Sequence, residues 1–369
     1  MKTGLFSYPT PFTPPTTEEN ELLVLRLFRS RRIGATTFHR IIAEHGSVAA
    51  AFEALPEIAR SAGVTDYSPC SEAAALAELN AGRKAGARLL CFGAPDYPQA
   101  LCDLPDAPPV LWAMGDLGLL KRPALAFVGA RSASSLGRRM AEGLAREAGE
   151  AGYVVVSGLA RGIDAEAHRA ALTTGTIGVQ GGGIDVVYPK ENKALHADLA
   201  AQGLRLSENP VGMPPQARHF PQRNRIISGL ARATIVIEAA TKSGSLLTAR
   251  NALDQGREVM AVPGHPMDGR VGGCNLLIRD GATLIRDFAD IAEALGPVQT
   301  TPVPAAEAPP AAPEDPAQAL LELLGPSPVL EEHVIRDLRI DAASFAQILT
   351  ELELDGLVLR HAGSRISLA

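Results

Sequence analysis

Residues 209–237 form a stretch of the chain that carries arginine without acid. The stretch contains no Asp or Glu, whereas the whole chain has a net charge of −6. Its basic and aromatic side chains are, in order, Arg218, His219, Phe220, Arg223, Arg225 and Arg232. A guanidinium grips phosphate oxygens with a planar fork, and an aromatic ring stacks on a nucleobase. The pattern indicates a nucleic-acid surface, although basic residues alone also fit an ordinary solvated loop.

Four glycine-containing loops on either side of this stretch strengthen the first interpretation. They contain Val128-Gly-Ala-Arg-Ser132, Ser157-Gly-Leu-Ala-Arg-Gly-Ile-Asp164, Gly181-Gly-Gly-Ile-Asp185 and Lys242-Ser-Gly-Ser245. Glycine lets the backbone approach a phosphate, and the amides of a following helix attract anions. The candidate set therefore adds Arg131, Ser132, Arg161, Lys242 and Ser243. Neither the dinucleotide-binding pattern G-x-G-x-x-G nor the P-loop pattern is present.

Residues that could carry catalysis are sparse. Asp164 and His168 lie four apart, so they share one helix face and could form an acid–base pair. Because no nucleophile accompanies them, a helix cap with a local hydrogen bond is the favoured interpretation. The four cysteines lack CxxC spacing, which argues against a zinc site or a disulfide framework. We expect a binding protein without catalytic residues, metal or cofactor.

The elements that position these loops are predicted from an alternation of apolar strands and helices after Ala124. The predicted strands are Ala124–Val128, Tyr153–Ser157, 176–180, 204–206, 234–237 and 258–262. The predicted helices are 137–151, 164–173, 192–200, 224–230 and 246–255. This order is typical of an α/β fold with a doubly wound, Rossmann-like parallel sheet, in which ligands bind at the carboxyl ends of the strands.

Three domains are predicted. Residues 1–121 (net −2) should form a helical module resembling helix-hairpin-helix or SAM-like bundles, and residues 122–297 (net +3) the central domain. A Pro/Ala-rich linker, 298–315, precedes three helices (317–324, 330–338 and 342–354) and a hairpin, 316–369, in the order of a winged helix. The presumed recognition helix, 341–355, contains no Lys or Arg, so protein interaction is favoured over duplex binding.

No apolar run is long enough to span a bilayer, and the first 15 residues lack the apolar core of a signal peptide. Together with the unpaired cysteines, this predicts a cytoplasmic protein without a membrane partner.

The quoted motifs occur in a recognisable order, continued by Phe220-Pro-Gln-Arg-Asn-Arg225 and Gly273-Cys-Asn-Leu-Leu-Ile278. The chain resembles the bacterial DNA processing protein A (DprA, also Smf) family. The resemblance implies a single-stranded DNA-binding protein of natural transformation that protects incoming strands and helps to load the RecA recombinase. Single-strand-binding protein is a further candidate partner. The resemblance also implies a homodimer through the segment that contains Ile278 and Leu284. Ile184 replaces the family's usual Leu, and Arg218 is assigned by proximity to the motif.

Two other functions stay open at this point. The central pattern also resembles lysine-decarboxylase-like phosphoribohydrolases of nucleoside monophosphates, but their Pro-Gly-Gly-x-Gly-Thr-x-x-Glu motif is replaced here by Glu238-Ala-Ala-Thr-Lys-Ser-Gly244. Release of a base from a nucleotide would identify such an enzyme. A purely structural adaptor would fail to shift DNA in a gel.

Overall fold

The predicted strands assemble into one mixed sheet in the computed structural model of the chain, which describes residues 18–296, 316–325, 329–331, 334–335, 342–361 and 365–368. Contacts divide the chain into two units, residues 1–299 and 300–369. The strands of the first unit are β1 (Arg88–Cys91), β2 (Val110–Gly115), β3 (Ala124–Val128), β4 (Val154–Ser157), β5 (Thr176–Val179), β6 (Leu204–Ser207), β7 (Ala233–Val236), β8 (Glu258–Ala261) and β9 (Thr283–Leu284). All six strands predicted after Ala124 are confirmed, with small shifts at their ends.

The sheet has the order β1-β2-β6-β5-β4-β3-β7-β8-β9. The seven strands from β6 to β9 run parallel, while β2 pairs antiparallel with β6 and β1 antiparallel with β2. The chain winds outward from β3 to β4, β5 and β6, and then returns to β7 on the other side of β3. This reversal is the switch point of a doubly wound fold, where a crevice opens at the carboxyl ends of the strands.

Helices cover both faces of the sheet, because the parallel strands are apolar on both sides. In the first unit the helices after β1 are α5 (Gln99–Cys102), α6 (Ser135–Glu150), α7 (Ile163–Ala170), α8 (Lys193–Gln202), α9 (His219–Leu230), α10 (Ser245–Asp254), α11 (Gly272–Arg279) and α12 (Phe288–Leu295). Apolar side chains of α9, α10 and α11 contribute to one core, and those of α6, α7 and α12 to the core of the opposite face. The predicted doubly wound architecture is confirmed.

Four helices precede the sheet: α1 (Glu18–Arg29), α2 (Ala35–His45), α3 (Val48–Ser61) and α4 (Glu72–Lys84). The first three correspond to helices that the sequence predicts at Glu18–Arg29, 36–44 and 48–54. The alanine-rich α4 was not expected, although Ser71 caps its first turn by accepting a hydrogen bond from the Ala74 amide. Only Ala75, Leu79 and Gly82 of α4 are buried. The apolar stripe of this helix is therefore weak in the sequence, which is why the helix is hard to predict.

The helical module and the sheet share one core through β2. Trp112 of β2 is fully buried, packs against Gly82 and donates from Nε1 to Glu78 Oε1 at 2.9 Å. Arg29 also donates to the Glu78 carboxylate, at 2.9 Å from Nη2 to Oε1, and to the backbone oxygen of Glu208 at 3.1 Å. The predicted domain boundary after residue 121 therefore lies beyond two strands that already belong to the central sheet.

The second unit contains α13 (Pro316–Leu323), β10 (Val329–Leu330), α14 (Ala342–Leu354), β11 (Val358–His361) and β12 (Arg365–Leu368). β11 and β12 form the predicted antiparallel hairpin, and β10 pairs with β12. Leu320, Phe345 and Leu349 lie in its apolar core. The predicted linker, 298–315, and most of the predicted helix 330–338 lie outside the described residues.

Candidate nucleic-acid interface

Two adjoining depressions open at the carboxyl ends of the strands around the switch point between β3 and β7. The inner pocket has a volume of about 360 Å³, and the outer groove a volume of about 860 Å³. They share the side chains of Arg131, Ala160, Tyr188, Pro215, Phe220 and Arg223. We call the two together the cleft.

Charge in the cleft is predominantly positive. Its cationic residues are Arg131, Arg161, Lys190, Arg223 and Lys242, and its carboxylates are Asp164 and Glu191. Within the described part of the chain, neither Arg131 nor Lys242 forms a hydrogen bond or an ion pair, and both are exposed. Lys190 of the inner pocket is also exposed and likewise forms no side-chain hydrogen bond or ion pair with a described residue. Unpaired cations at one edge of the sheet form a site that can take up the oxygens of a polyanion.

An aromatic pair stands between these cations and the inner pocket. The Phe220 and Tyr188 ring centroids are 5.6 Å apart with an interplanar angle of 38°, and Arg131 Cζ lies 5.4 Å from the Phe220 centroid. Gly181 allows this packing, because a Cβ at that position would lie 3.0 Å from Phe220 Cδ1. The cleft therefore combines exposed cations with a half-buried π surface.

Phe220 belongs to a helix and not to the loop predicted for it. Helix α9 begins at His219, five residues before the predicted start, so Pro221 lies in its first turn. A proline is tolerated there because the first amides of a helix have no intrahelical acceptor. The ring of Phe220 is thus fixed by helical geometry.

Arg223 lines the cleft as a buried group. It is only 7% exposed, and its Nη1 donates to the Val179 backbone oxygen at 2.9 Å. Burial lowers the pKa of Arg223 to about 10 and raises the pKa of the neighbouring Asp164, an effect that the charge of Arg223 opposes. A Cβ at Gly158 would lie 2.0 Å from Arg223 Nη1 and 2.5 Å from Asp164 Oδ2, so this packing requires glycine. Arg223 mainly supports the wall of the pocket.

Arg225 is not part of the cleft, so the prediction that it lies on the same surface as the other arginines is wrong. Its Nη2 lies 2.6 Å from Glu208 Oε1, and its Nε lies 3.4 Å from Asp106 Oδ2. The arginine and Glu208 side chains are 13% and 15% exposed. Helical geometry explains the separation, because residues two apart on a helix point in different directions.

The remaining candidates lie at or beside the cleft. Arg161 lines the inner pocket, and its Nη1 lies 3.4 Å from Glu191 Oε1. Ser243 lines the outer groove, and its Oγ accepts a hydrogen bond from the Ser245 amide. Ser132 and Arg218 are exposed without lining the cleft. His219 is buried at the start of α9.

The N-terminus of α6, expected to offer free amides to a phosphate, is occupied by a side chain of the protein. Glu238, at the end of β7, accepts hydrogen bonds from the Ser134 amide at 3.1 Å and from the Ser134 hydroxyl at 2.6 Å. The Ser134 hydroxyl in turn accepts from the Gly137 amide at 3.0 Å. A phosphate cannot take this place while Glu238 occupies it.

Asp164 and His168 do not form the acid–base pair considered for them. His168 Nδ1 lies 2.7 Å from Thr176 Oγ1, and its Nε2 lies 2.6 Å from the Gly158 oxygen. Burial lowers the pKa of His168 to about 4, so the imidazole is neutral at pH 7. Asp164 instead accepts a hydrogen bond from the Ala160 amide at 3.3 Å. Both residues support the loop that follows β4.

Sequence reasoning missed pocket residues that include Tyr188, Lys190 and Gln180. Lys190 lines the inner pocket seven residues after Gly183, so a basic residue that follows the glycine loop could have indicated it. Gln180 directly follows β5, and its Nε2 donates to the oxygens of Gly183 at 2.9 Å and Val186 at 3.1 Å. Nothing in the sequence indicates that this amide shapes the pocket.

The two predicted dimer residues lie near the β9 edge of the sheet. Ile278, in α11, is half-buried and packs against the core, whereas Leu284, in β9, is 42% exposed. The sequence predicts a short helical turn at 276–278 and an edge strand at 283–285; both are confirmed, while the interface stays a prediction. Among the described helices, none has the length and apolarity needed to cross a membrane. The described residues also contain no group of three or more His, Cys, Asp or Glu side chains suited to a metal ion.

Three family models match the chain. They describe the DprA-like N-terminal HHH domain over residues 18–81, the DNA recombination-mediator protein A over 88–296 and the DprA winged helix domain over 304–364.

The chain is also similar to individual proteins. It is 47% identical over 201 residues to the DNA processing protein DprA of Streptococcus pneumoniae, which covers 53% of this chain and 70% of that protein. The X-ray structure of DNA processing protein A from S. pneumoniae matches with a TM-score of 0.58 and 36% identity, over 75% of this chain and 93% of the other. A structure of the Helicobacter pylori protein, which gives insight into that protein's unique single-stranded DNA binding mode, matches with a TM-score of 0.52 and 31% identity, over 57% of this chain and 95% of the other.

Proposed function

Because the chain belongs to the DprA family of DNA recombination mediators, we propose that it binds single-stranded DNA in the cleft, protects incoming strands and helps to load RecA during natural transformation. The observation that carries the proposal is the meeting of unpaired cations and a half-buried ring at the switch point of the sheet. The single-stranded DNA binding of the H. pylori relative supports it.

Arg131 and Lys242 contact the phosphates in this proposal. Both are exposed, both lie on loops at carboxyl ends of strands, and neither forms a hydrogen bond or an ion pair with a described residue. Contacts to phosphate carry no sequence information, so the binding is general for DNA. In this proposal, Ser132 and Ser243, each next in sequence to one of these cations, and the exposed Arg218 before α9 add further contacts to the backbone of the strand.

The bases contact the aromatic side of the cleft. Phe220 offers a ring face, Tyr188 lies beside it, and the inner pocket of about 360 Å³ opens behind them. Every base has a π face, so stacking tolerates any sequence. Bases in a duplex already stack on each other, and this is why we expect a preference for single strands.

A homodimer places two clefts on one strand. Leu284 at the exposed β9 edge and Ile278 beside it form the proposed interface. An exposed edge strand is usually covered. Two linked sites raise the apparent affinity for long strands through effective concentration. RecA would then receive a strand held at two points, with no chemical step by this protein.

A gel shift and a base-release assay test the proposal together. Fluorescent single-stranded and duplex oligonucleotides of equal length are titrated with the protein at 50, 100 and 200 mM salt. Over this range the affinity falls measurably if the protein contacts about two or more phosphates. We expect preferential binding of the single strand, weaker at higher salt. Equal affinity for the duplex, or release of free base from nucleoside monophosphates, would contradict the proposed function.

A further inference from the structure

The N-terminus of helix α6 holds an anion that belongs to the protein. The Glu238 carboxylate accepts hydrogen bonds from the Ser134 amide, at 3.1 Å on Oε1 and 3.3 Å on Oε2, and from the Ser134 hydroxyl at 2.6 Å. In nucleotide-binding sheets of this type, a phosphate of the ligand lies at the helix that follows the first strand. Helix α6 follows β3, the first strand of the parallel series, so Glu238 stands where that phosphate would lie.

The surroundings of Glu238 are built for a buried charge. The residue is 3% exposed, and an unpaired buried carboxylate would be strongly destabilising. Its charge is offset by the charge-assisted hydrogen bonds from Ser134 and by the positive end of the α6 dipole. Gly137 completes the fit, because a Cβ at that position would lie 2.3 Å from Glu238 Oε2. Glycine is therefore required in the first turn of α6 for the carboxylate to enter.

The same carboxylate anchors the loop that carries Arg131. Glu238 holds the loop at Ser134, and Ser245 Oγ donates to the Gly129 oxygen at 2.8 Å at its other end. The Ala130 oxygen accepts from the Ile163 amide at 3.2 Å. The backbone is thus fixed at three points, while the Arg131 guanidinium forms no hydrogen bond with any described residue and lies over the Phe220 ring.

We propose that Glu238 is a specificity-determining and positioning residue: it replaces a nucleotide phosphate on α6 and fixes the Arg131 loop toward the cleft. Free nucleotides then do not bind at the N-terminus of α6, and a DNA strand is bound by the side chains of the cleft instead. The role of Glu238 in positioning the Arg131 loop rests on the proposed function, whereas its exclusion of phosphate from the helix N-terminus does not.

Two substitutions separate the two halves. Glu238→Ala vacates the helix N-terminus, so the variant should gain a saturable site for inorganic phosphate, detected by calorimetry and by ³¹P line broadening. Glu238→Gln keeps the space filled but turns an NH₂ donor toward the donors of Ser134. It should gain no phosphate site, yet it should bind a single-stranded oligonucleotide about fivefold more weakly, the effect of losing roughly one hydrogen bond. Glu142→Ala, an exposed acid on α6, is the charge-matched control and should resemble wild type in both assays.

The outcomes are distinct. A folded Glu238→Ala protein that binds phosphate no better than wild type overturns the phosphate replacement. A Glu238→Gln protein with wild-type DNA affinity overturns the positioning role. If wild type fails to bind the oligonucleotide, the proposed function fails, while the phosphate assay still decides the first half. Should Glu238→Ala not fold, Glu238→Asp is used. It retains the charge and should refuse phosphate, but its shorter side chain should weaken DNA binding about as much as Glu238→Gln; phosphate uptake or unchanged DNA affinity by this variant would overturn the proposal.

Discussion

Replacement of Arg131 and Lys242, two of the unpaired cations of the cleft, should change the salt dependence of DNA binding by a calculable amount. For single strands, each phosphate contact contributes about 0.7 to the slope of log K against log salt. Arg131→Ala and Lys242→Ala should therefore each reduce the slope by about 0.7, and the double variant by about 1.4. Between 50 and 200 mM salt, that difference corresponds to roughly a sevenfold smaller loss of affinity in the double variant than in wild type.

The assay is fluorescence anisotropy with a labelled oligothymidine short enough to fill one cleft, measured at four salt concentrations. Arg250→Ala is the matched control, because this exposed arginine on α10 does not line the cleft. Arg225→Ala gives the opposite signature. It leaves the Glu208 carboxylate buried without its main partner, so unfolding should become easier by about 3 kcal/mol, with an unchanged salt slope of the folded fraction.

An Arg131→Ala, Lys242→Ala double variant whose slope equals that of wild type would show that these two cations do not contact phosphates. An Arg225→Ala variant with a reduced slope and an unchanged melting temperature would show that Arg225 contacts DNA and not Glu208.

Three further predictions concern stacking, pH and assembly. Phe220→Leu should weaken binding by about 1–3 kcal/mol with little change in melting temperature; normal binding with a lower melting temperature would identify Phe220 as a core residue only. The pKa of His168 is about 4 in the folded protein against 6.5 for the free side chain, so folding favours the neutral ring. Stability from this group is complete above pH 6.5 and is lost as the pH falls from 6.5 to 4, by about 3 kcal/mol in total, and thermal melts of His168→Gln should show a flatter pH profile. Ile278→Arg with Leu284→Arg should give a folded monomer that binds long strands much more weakly but short oligonucleotides normally, and light scattering that still reports a dimer would contradict the interface.

The sheet and the loops at its carboxyl edge could be predicted from the sequence, because both depend on local patterns. Continuous apolar runs such as Ala124–Val128 indicate buried parallel strands, and the glycines that follow them mark where the chain turns. The sharing of one edge by Arg131 and Lys242 then follows from the direction of parallel strands. For these residues, motif position was enough.

Partners that are distant in sequence could not be predicted. Arg225 is close to Arg223 in a stretch without acids, but Glu208 and Asp106 reach it from other elements. Glu238 likewise directly follows a predicted strand, and its hydrogen bond with Ser134 joins residues 104 positions apart. Local sequence gives the charge of a side chain but not the group that neutralises it.

The antiparallel strand β2 has a consequence for the order of events during synthesis. Ala113 pairs with Leu206, 93 residues later in the chain. At ribosomal rates of about 5–20 residues per second, β2 emerges roughly 5–20 s before the strand that will cover its edge. During that interval the helices that precede it are already available, and Glu78 can hold the Trp112 indole through the hydrogen bond seen in the finished protein. The helical module thus covers a large apolar side chain of the nascent chain and keeps it from contact with other chains until the rest of the sheet is synthesised.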